Sequence, residues 1–232
     1  MRRYLAVLSA SLLLFSLAGP RATLASVISG PNTVLVGTTL ETYYIITGAS
    51  GATYDLLQKS SWTNDQAEAQ ALGTNLITIT SATHNAAVLN DVAQDFSASI
   101  SGLNLAAVTL WIGLNDQSHD PAFGGTDDGA GGASSTHAGN FVWADGSSPT
   151  YRNWNAGTGE PSNWTPGEYY AALNWQYANN QGSLGTWNDT PNNGTEGDNG
   201  YYGIAVAAPE PASLLVAALG SLCLMLRRPW RR

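Results

Sequence analysis

An α+β domain without disulfides is the fold class the sequence predicts, on three observations. Two helix-patterned stretches, about Trp62 to Leu72 and Ala82–Phe96, come early in the chain. A run of short apolar, strand-like segments, punctuated by Gly, Asn, Asp and Ser, follows them as far as Val206. The single cysteine, Cys223, lies near the C-terminal end, so the body of the chain cannot be cross-linked. Helices segregated from antiparallel strands make an α+β domain, and without staples it must stand on its core. Eight tryptophans and ten tyrosines supply bulky apolar groups for one, and about 180 residues suffice for a single domain. No repeat of 20–50 residues is evident.

The N-terminal end reads as a targeting segment. Met1-Arg2-Arg3 is basic, Tyr4 to Ala18 is apolar, and Thr23-Leu24-Ala25 is a small-residue cleavage pattern. Together they predict a secretory signal peptide over 1–25. The alternative, an uncleaved anchor, needs roughly 20 spanning residues, more than this apolar run offers. Residues 26–49 form a strand-rich extension, with β-favouring stretches at Thr33–Val36 and Thr42–Ile46.

The main domain, 50–207, opens with a strand at Tyr54–Leu57. The first helix follows, with Ser61 or Thr63 as cap and Gly73 as stop. Trp62, Ala69 and Leu72 fall on one helical face. In the second helix Ser81 is the cap and Val88, Leu89, Val92 and Phe96 make the buried face. Val108–Leu114 has the length and apolarity of a buried strand. A Gly-, Asp- and Ser-rich loop covers 115–139, of the long kind that is functional or disordered. Phe141–Trp143, Tyr170–Tyr177, Gly185–Asn188 and Tyr201–Val206 complete the strands.

Charge narrows the function. Of nine basic residues only Lys59 and Arg152 lie within 26–208, against sixteen of the seventeen acids, a net charge of −14 for that span. Nucleic-acid phosphates need Lys and Arg, so nucleic acid is excluded as a partner. An acidic surface suits cations, though solvation alone also explains acidity. No G-x-S-x-G, H-E-x-x-H or P-loop pattern is present, and His84, His119 and His137 lack metal-ligand spacing, so catalysis finds no support.

One stretch points at chemistry. Glu160, Ser162, Glu168, Asn188 and Asp189 offer carboxylates, an amide oxygen and a hydroxyl within thirty residues. These are hard oxygen donors, and calcium takes six to eight of them. Solvated loop acids and turn formers are the alternative reading of the same residues. Asp116 and Asp120, four apart, and Asn163 in the later loop read on their own as polar loop residues.

The landmarks, in order, resemble a C-type lectin-like domain. They are Trp62, Ala69, Leu72-Gly73 and Leu76; then Trp111-Ile112-Gly113-Leu114; then Phe141-Val142-Trp143-Ala144-Asp145-Gly146 with Tyr151 and Asn153-Trp154; then Trp187-Asn188-Asp189. The resemblance covers roughly 50–207. It implies two helices, antiparallel sheets and a long loop region. The family's usual cysteines are absent, with Ala69 and Tyr170 at two of their positions. It further implies that Pro161 is cis, that Glu160, Ser162, Glu168, Asn188 and Asp189 hold Ca2+, and that the same oxygens bind carbohydrate. Asp116 and Asp120, with Asn163 near by, stand where the family places auxiliary calcium ligands, a plain polar loop being the alternative. The mannose-type motif of the family is Glu-Pro-Asn, whereas Ser162 stands third here. Trp164 lies where its face could stack on a sugar ring or pack inward; Trp111, Trp143, Trp154 and Trp187 read as core.

The C-terminal end resembles the bacterial PEP-CTERM sorting signal. Pro209-Glu210-Pro211 leads into an apolar stretch, 212–226, and a basic tail, 227–232. The resemblance implies processing by an exosortase, transient membrane anchoring through that helix, a Gram-negative-type bacterial source, and delivery to the cell surface or an exopolysaccharide matrix. A plain C-terminal anchor is the alternative. The function expected is therefore calcium-dependent carbohydrate binding outside the cell, or else a structural, adhesive role in the matrix without sugar binding.

Overall fold

The computed structural model describes residues 27–48, 50–93, 108–125, 140–163, 167–175, 183–195 and 199–207. The expected signal peptide, the sorting segment, Phe96, Trp164 and His137 lie outside them. Among the described residues no helix is long and apolar enough to cross a membrane.

The first described segment is a hairpin, β1 (Val27–Val36) and β2 (Thr39–Thr47), and β2 pairs with β3 (Thr53–Ser60). Helices α1 (Trp62–Ala71) and α2 (Ala82–Ala93) follow. After them come β4 (Leu110–Asn115), a 3-10 turn at Pro121–Phe123, β5 (Val142–Trp143), β6 (Tyr170–Leu173), β7 (Trp187–Thr190) and β8 (Tyr201–Val206). Among the described residues, two helices and one eight-stranded sheet give the α+β class that the sequence predicts. The strand order is β1-β2-β3-β8-β4-β6-β7, with β5 on β4. The extension at 27–47 is thus hydrogen-bonded into the same sheet as the rest.

Local sequence explains the element ends. The Ser61 hydroxyl accepts the Asn64 N–H at the start of α1, and Ser81 does the same for His84 at α2. Gly73, at φ +83°, takes the chain out of α1 through a conformation that other residues rarely adopt.

Three expectations are corrected. β6 ends at Leu173, not Tyr177, because Asn174 turns the chain at φ +60° and its side-chain oxygen accepts the Gly185 N–H at 2.6 Å. β7 starts at Trp187, not Gly185, which is itself in a turn at φ +84°. The sheet is not wholly antiparallel: β8 inserts between β3 and β4 and runs parallel to β4.

That insertion makes β4 central, and all six of its residues are buried. Side chains alternate across a strand, so the sheet carries a core on each face. Leu110, Ile112, Leu114, Ala171, Leu173 and Ile204 share one cluster with Val88 and Val92 of α2. Trp111, Ala172, Tyr201 and Ala205 share the other with Trp62 and Ala69 of α1. Each helix therefore covers one face. Three of the fully buried indoles find acceptors: Trp62 donates to the Ile112 carbonyl at 2.8 Å, Trp111 to the Ser60 carbonyl at 2.9 Å, and Trp187 to the Asn85 side chain at 2.9 Å. Gly113 explains its place in the W-I-G-L strand. A Cβ there would lie 2.3 Å from the Leu76 carbonyl oxygen, and its N–H donates to Ile77.

Candidate functional site

Strand β7 presents Asn188 and Asp189, and pairing with β6 sets them opposite Ala172 and Ala171. Glu168 sits two residues before β6, so the β6–β7 ladder carries it to the same end. On the other side of β7, the chain at 153–155 runs alongside it. Trp187 N–H donates to the Asn153 carbonyl and Asn155 N–H to the Trp187 carbonyl, both at 2.8 Å. The Asn155 carbonyl then gathers the N–H groups of Thr158 and Glu160, folding the loop that carries Glu160 back toward β7. The Glu160–Pro161 peptide is cis, as the resemblance implies.

Asp189 is the anchor of this arrangement. It is 0% exposed, and its two carboxylate oxygens accept the backbone N–H groups of Ser162 at 2.9 Å and Asn163 at 2.7 Å. The Glu160 carboxyl also hydrogen-bonds Asp189. Burial first, and then that hydrogen bond, pushes Glu160 up to about 7, while hydrogen bonds from Ser162 and Thr158 oppose the rise. Asp189 is raised too, by burial first and by the Glu168 charge, and the bonds it accepts from Glu160, Asn163 and Ser162 only reduce that rise. Asn163, at φ +42°, accepts the Glu168 N–H with its side-chain oxygen at 3.3 Å.

The structure thus brings Glu160, Ser162, Asn163, Glu168, Asn188 and Asp189 into one loop–strand junction. Ser162, Asn163, Glu168, Asn188 and Asp189 are all buried and Glu160 is half-buried. Among the described residues, no three His, Cys, Asp or Glu side chains gather as a metal-holding group. The set here is mixed, with an amide and a hydroxyl beside its carboxylates. Two of its buried oxygens, Glu160 Oε2 and Asn188 Oδ1, have no hydrogen-bond partner among the described residues. A buried acceptor left that way is costly, and a hard cation is one way to satisfy it. The donor chemistry fits calcium. Asn188 meanwhile donates its amide to the Asp189 carbonyl at 2.7 Å.

The auxiliary residues are engaged locally. Asp116 accepts from Ser118 N–H and hydroxyl and contacts His119 Nδ1 at 2.7 Å. Asp120 caps the 3-10 turn through the Ala122 N–H and takes a hydrogen bond from the Tyr170 hydroxyl.

Sequence reasoning missed Asn155, Thr158 and His119 at these sites. The N-A-G-T turn at 155–158 is a signal for the first two; His119 shows its role only once Asp116 is placed beside it. It missed as well that Asp65 and Glu68 of α1 are buried. Asp65 falls on the same helical stripe as Trp62 and Ala69, which is the signal that finds it.

No protein-family model matches the chain, and no curated protein sequence matches it. Among solved structures it is similar to the mouse scavenger receptor C-type lectin carbohydrate-recognition domain, at 21% identity over 66% of this chain and 88% of that one, TM-score 0.39. It is also similar to herring type II antifreeze protein, at 19% identity over 66% and 88%, TM-score 0.38. A calcium-independent type II antifreeze protein is similar at 15% identity over 66% and 84%, TM-score 0.38.

Proposed function

We propose that this chain is a C-type lectin-like binding protein, not an enzyme, that holds Ca2+ and, through it, carbohydrate. The observation that carries the reading is the junction itself. The loop bearing Glu160 and Ser162 is tied by Asp189 to the strand bearing Asn188, and two buried oxygens are left for a ligand. Glu160, Ser162, Glu168, Asn188 and Asp189 would hold the ion; calcium supplies a charge to which sugar hydroxyls can coordinate. The signal-peptide pattern and the Pro-Glu-Pro, apolar and basic sequence of the C-terminal end support secretion, exosortase processing and a place at the surface of a Gram-negative-type bacterium.

Calcium titration of thermal stability tests this. A ligand at a hundred times its Kd stabilises by about 2.7 kcal/mol, so millimolar calcium is expected to raise Tm, and Glu160→Gln to remove the rise. No shift up to millimolar calcium contradicts the reading.

One observation favours a second reading, a structural or adhesive matrix domain without sugar binding. Both Asp189 carboxylate oxygens are already taken by backbone N–H groups. Under that reading the junction is a structural clasp and calcium changes nothing.

A further inference from the structure

Helix α1 meets the β1–β2 hairpin over a cavity of about 260 Å³, whose walls include Glu41 of β2, Gln58, Lys59 and Ser60 of β3, and Asn64 and Glu68 of α1. Asn64 and Glu68 are four residues apart, so a single helical face presents both. Glu68 is only 3% exposed, yet its Oε1 has no hydrogen-bond partner among the described residues. Asp65, 0% exposed, takes the Ser60 hydroxyl on one oxygen and leaves Oδ2 likewise unpartnered. Glu41 and Asp55 add their negative potential to Glu68, and Glu41 and Glu68 add theirs to Asp65.

Buried carboxylates are normally paired or bound to a cation. Among the described residues no cation plays that part. Arg152 is committed elsewhere, donating to the carbonyls of Phe141, Pro149 and Tyr151 with its guanidinium over Trp143. Lys59 is exposed at the cavity rim and makes no ion pair with these acids among the described residues.

We propose that this cavity binds an organic ammonium group, with Glu68 as its buried counter-ion and Glu41 on the facing wall. A bare metal ion suits it poorly. The acids do not gather as a metal-holding group among the described residues, and the space is several times the roughly 30 Å³ share of one water. An ammonium nitrogen brings three N–H donors. Among the lining residues Glu68, Glu41, Gln58 and Ser60 all carry oxygens that can accept them. The polar rim also fits what an ammonium ligand carries beyond its nitrogen, whether the hydroxyls of an amino sugar or the second amine of a polyamine. Burial, reinforced by Glu41 and Asp55, pushes the Glu68 carboxyl up to about 7, so a bound cation would complete its ionisation at neutral pH. This site is separate from the Glu160 loop and does not rest on it.

Calorimetric titration of the full chain at pH 7.5 tests the proposal. The amine arms are run in chelator, so that calcium-dependent sugar binding does not contribute. Glucosamine and putrescine distinguish the two ammonium sources, and N-acetylglucosamine, whose nitrogen is uncharged, is the control. At least one amine is expected to bind saturably, with the control weaker by about ten-fold, the loss that goes with one charge-assisted hydrogen bond. Glu68→Gln is expected to weaken the amine by a similar factor. Glu41→Gln weakens it a few-fold, and Lys59→Gln, which removes a like charge from the rim, strengthens it a few-fold. Should Glu68→Gln fail to fold, the opposite responses of the other two variants decide the matter. The proposal is overturned if neither amine saturates, if N-acetylglucosamine binds as tightly, or if the variants bind like the parent. A calcium arm that saturates in the parent and is lost in Glu68→Gln also overturns it, in favour of a metal site.

Discussion

Replacing Asp189 with Ala removes the group that ties the Glu160 loop to β7. Two backbone N–H donors, those of Ser162 and Asn163, lose acceptors at 2.9 and 2.7 Å, and both residues are buried. A buried donor left unsatisfied costs about 1–3 kcal/mol, so the pair sets a range of about 2–6 kcal/mol. Two effects pull the figure down. The loop can move outward until water reaches the donors, and the desolvation that raises the Asp189 carboxyl in the fold is relieved. The expected loss is therefore about 2–4 kcal/mol. Asp189→Asn keeps one acceptor oxygen but turns an amide toward the other donor, and is expected to lose about half as much. Urea unfolding of the full chain in chelator, where calcium cannot contribute, measures both. A loss below about 0.5 kcal/mol for Asp189→Ala, the range of an ordinary surface change, would refute the anchoring role.

Two further outcomes follow from the core. Gly113→Ala forces a Cβ against the backbone at Leu76 and Ile77, which cannot swing away as a side chain would. It is expected to destabilise by about 1–3 kcal/mol in the same urea assay, and wild-type stability would contradict that close approach. Glu68 has a folded-state pKa of about 7, above its ordinary 4.5. The stability it contributes is therefore complete below about pH 4.5 and is lost as pH rises through about 7. Glu41 on β2, Asp55 on β3 and Asp65 on its own helix act in the same direction, and exposed Lys59 is the nearby cation. Tm in chelator is expected to fall between pH 5 and pH 8, less steeply in Glu68→Gln. An identical pH profile in that variant would count against the assignment.

The sequence carried the core elements because each rests on local pattern. Helix α1 shows its Ser61 cap, its Gly73 stop and the spacing of Trp62 and Ala69; β4 shows an unbroken apolar run. What stayed hidden depends on partners far along the chain. That β8 inserts beside β4 in parallel is a matter of topology, to which no local residue is committed. The ends of β6 and β7 turn on Asn174 and Gly185 meeting each other, eleven positions apart. At the candidate site a set of oxygen-bearing residues was legible from residue types and spacing. The role of Asp189 as a clasp for two backbone N–H groups was not, since only the folded loop brings those donors to it.

Capture of the full chain on immobilised glycans, run in calcium and again in chelator, tests calcium-dependent sugar binding most directly. Binding to at least one glycan that chelator abolishes, and that Glu160→Gln loses, is the predicted result. Binding that survives chelation, or no binding to any glycan, would contradict it.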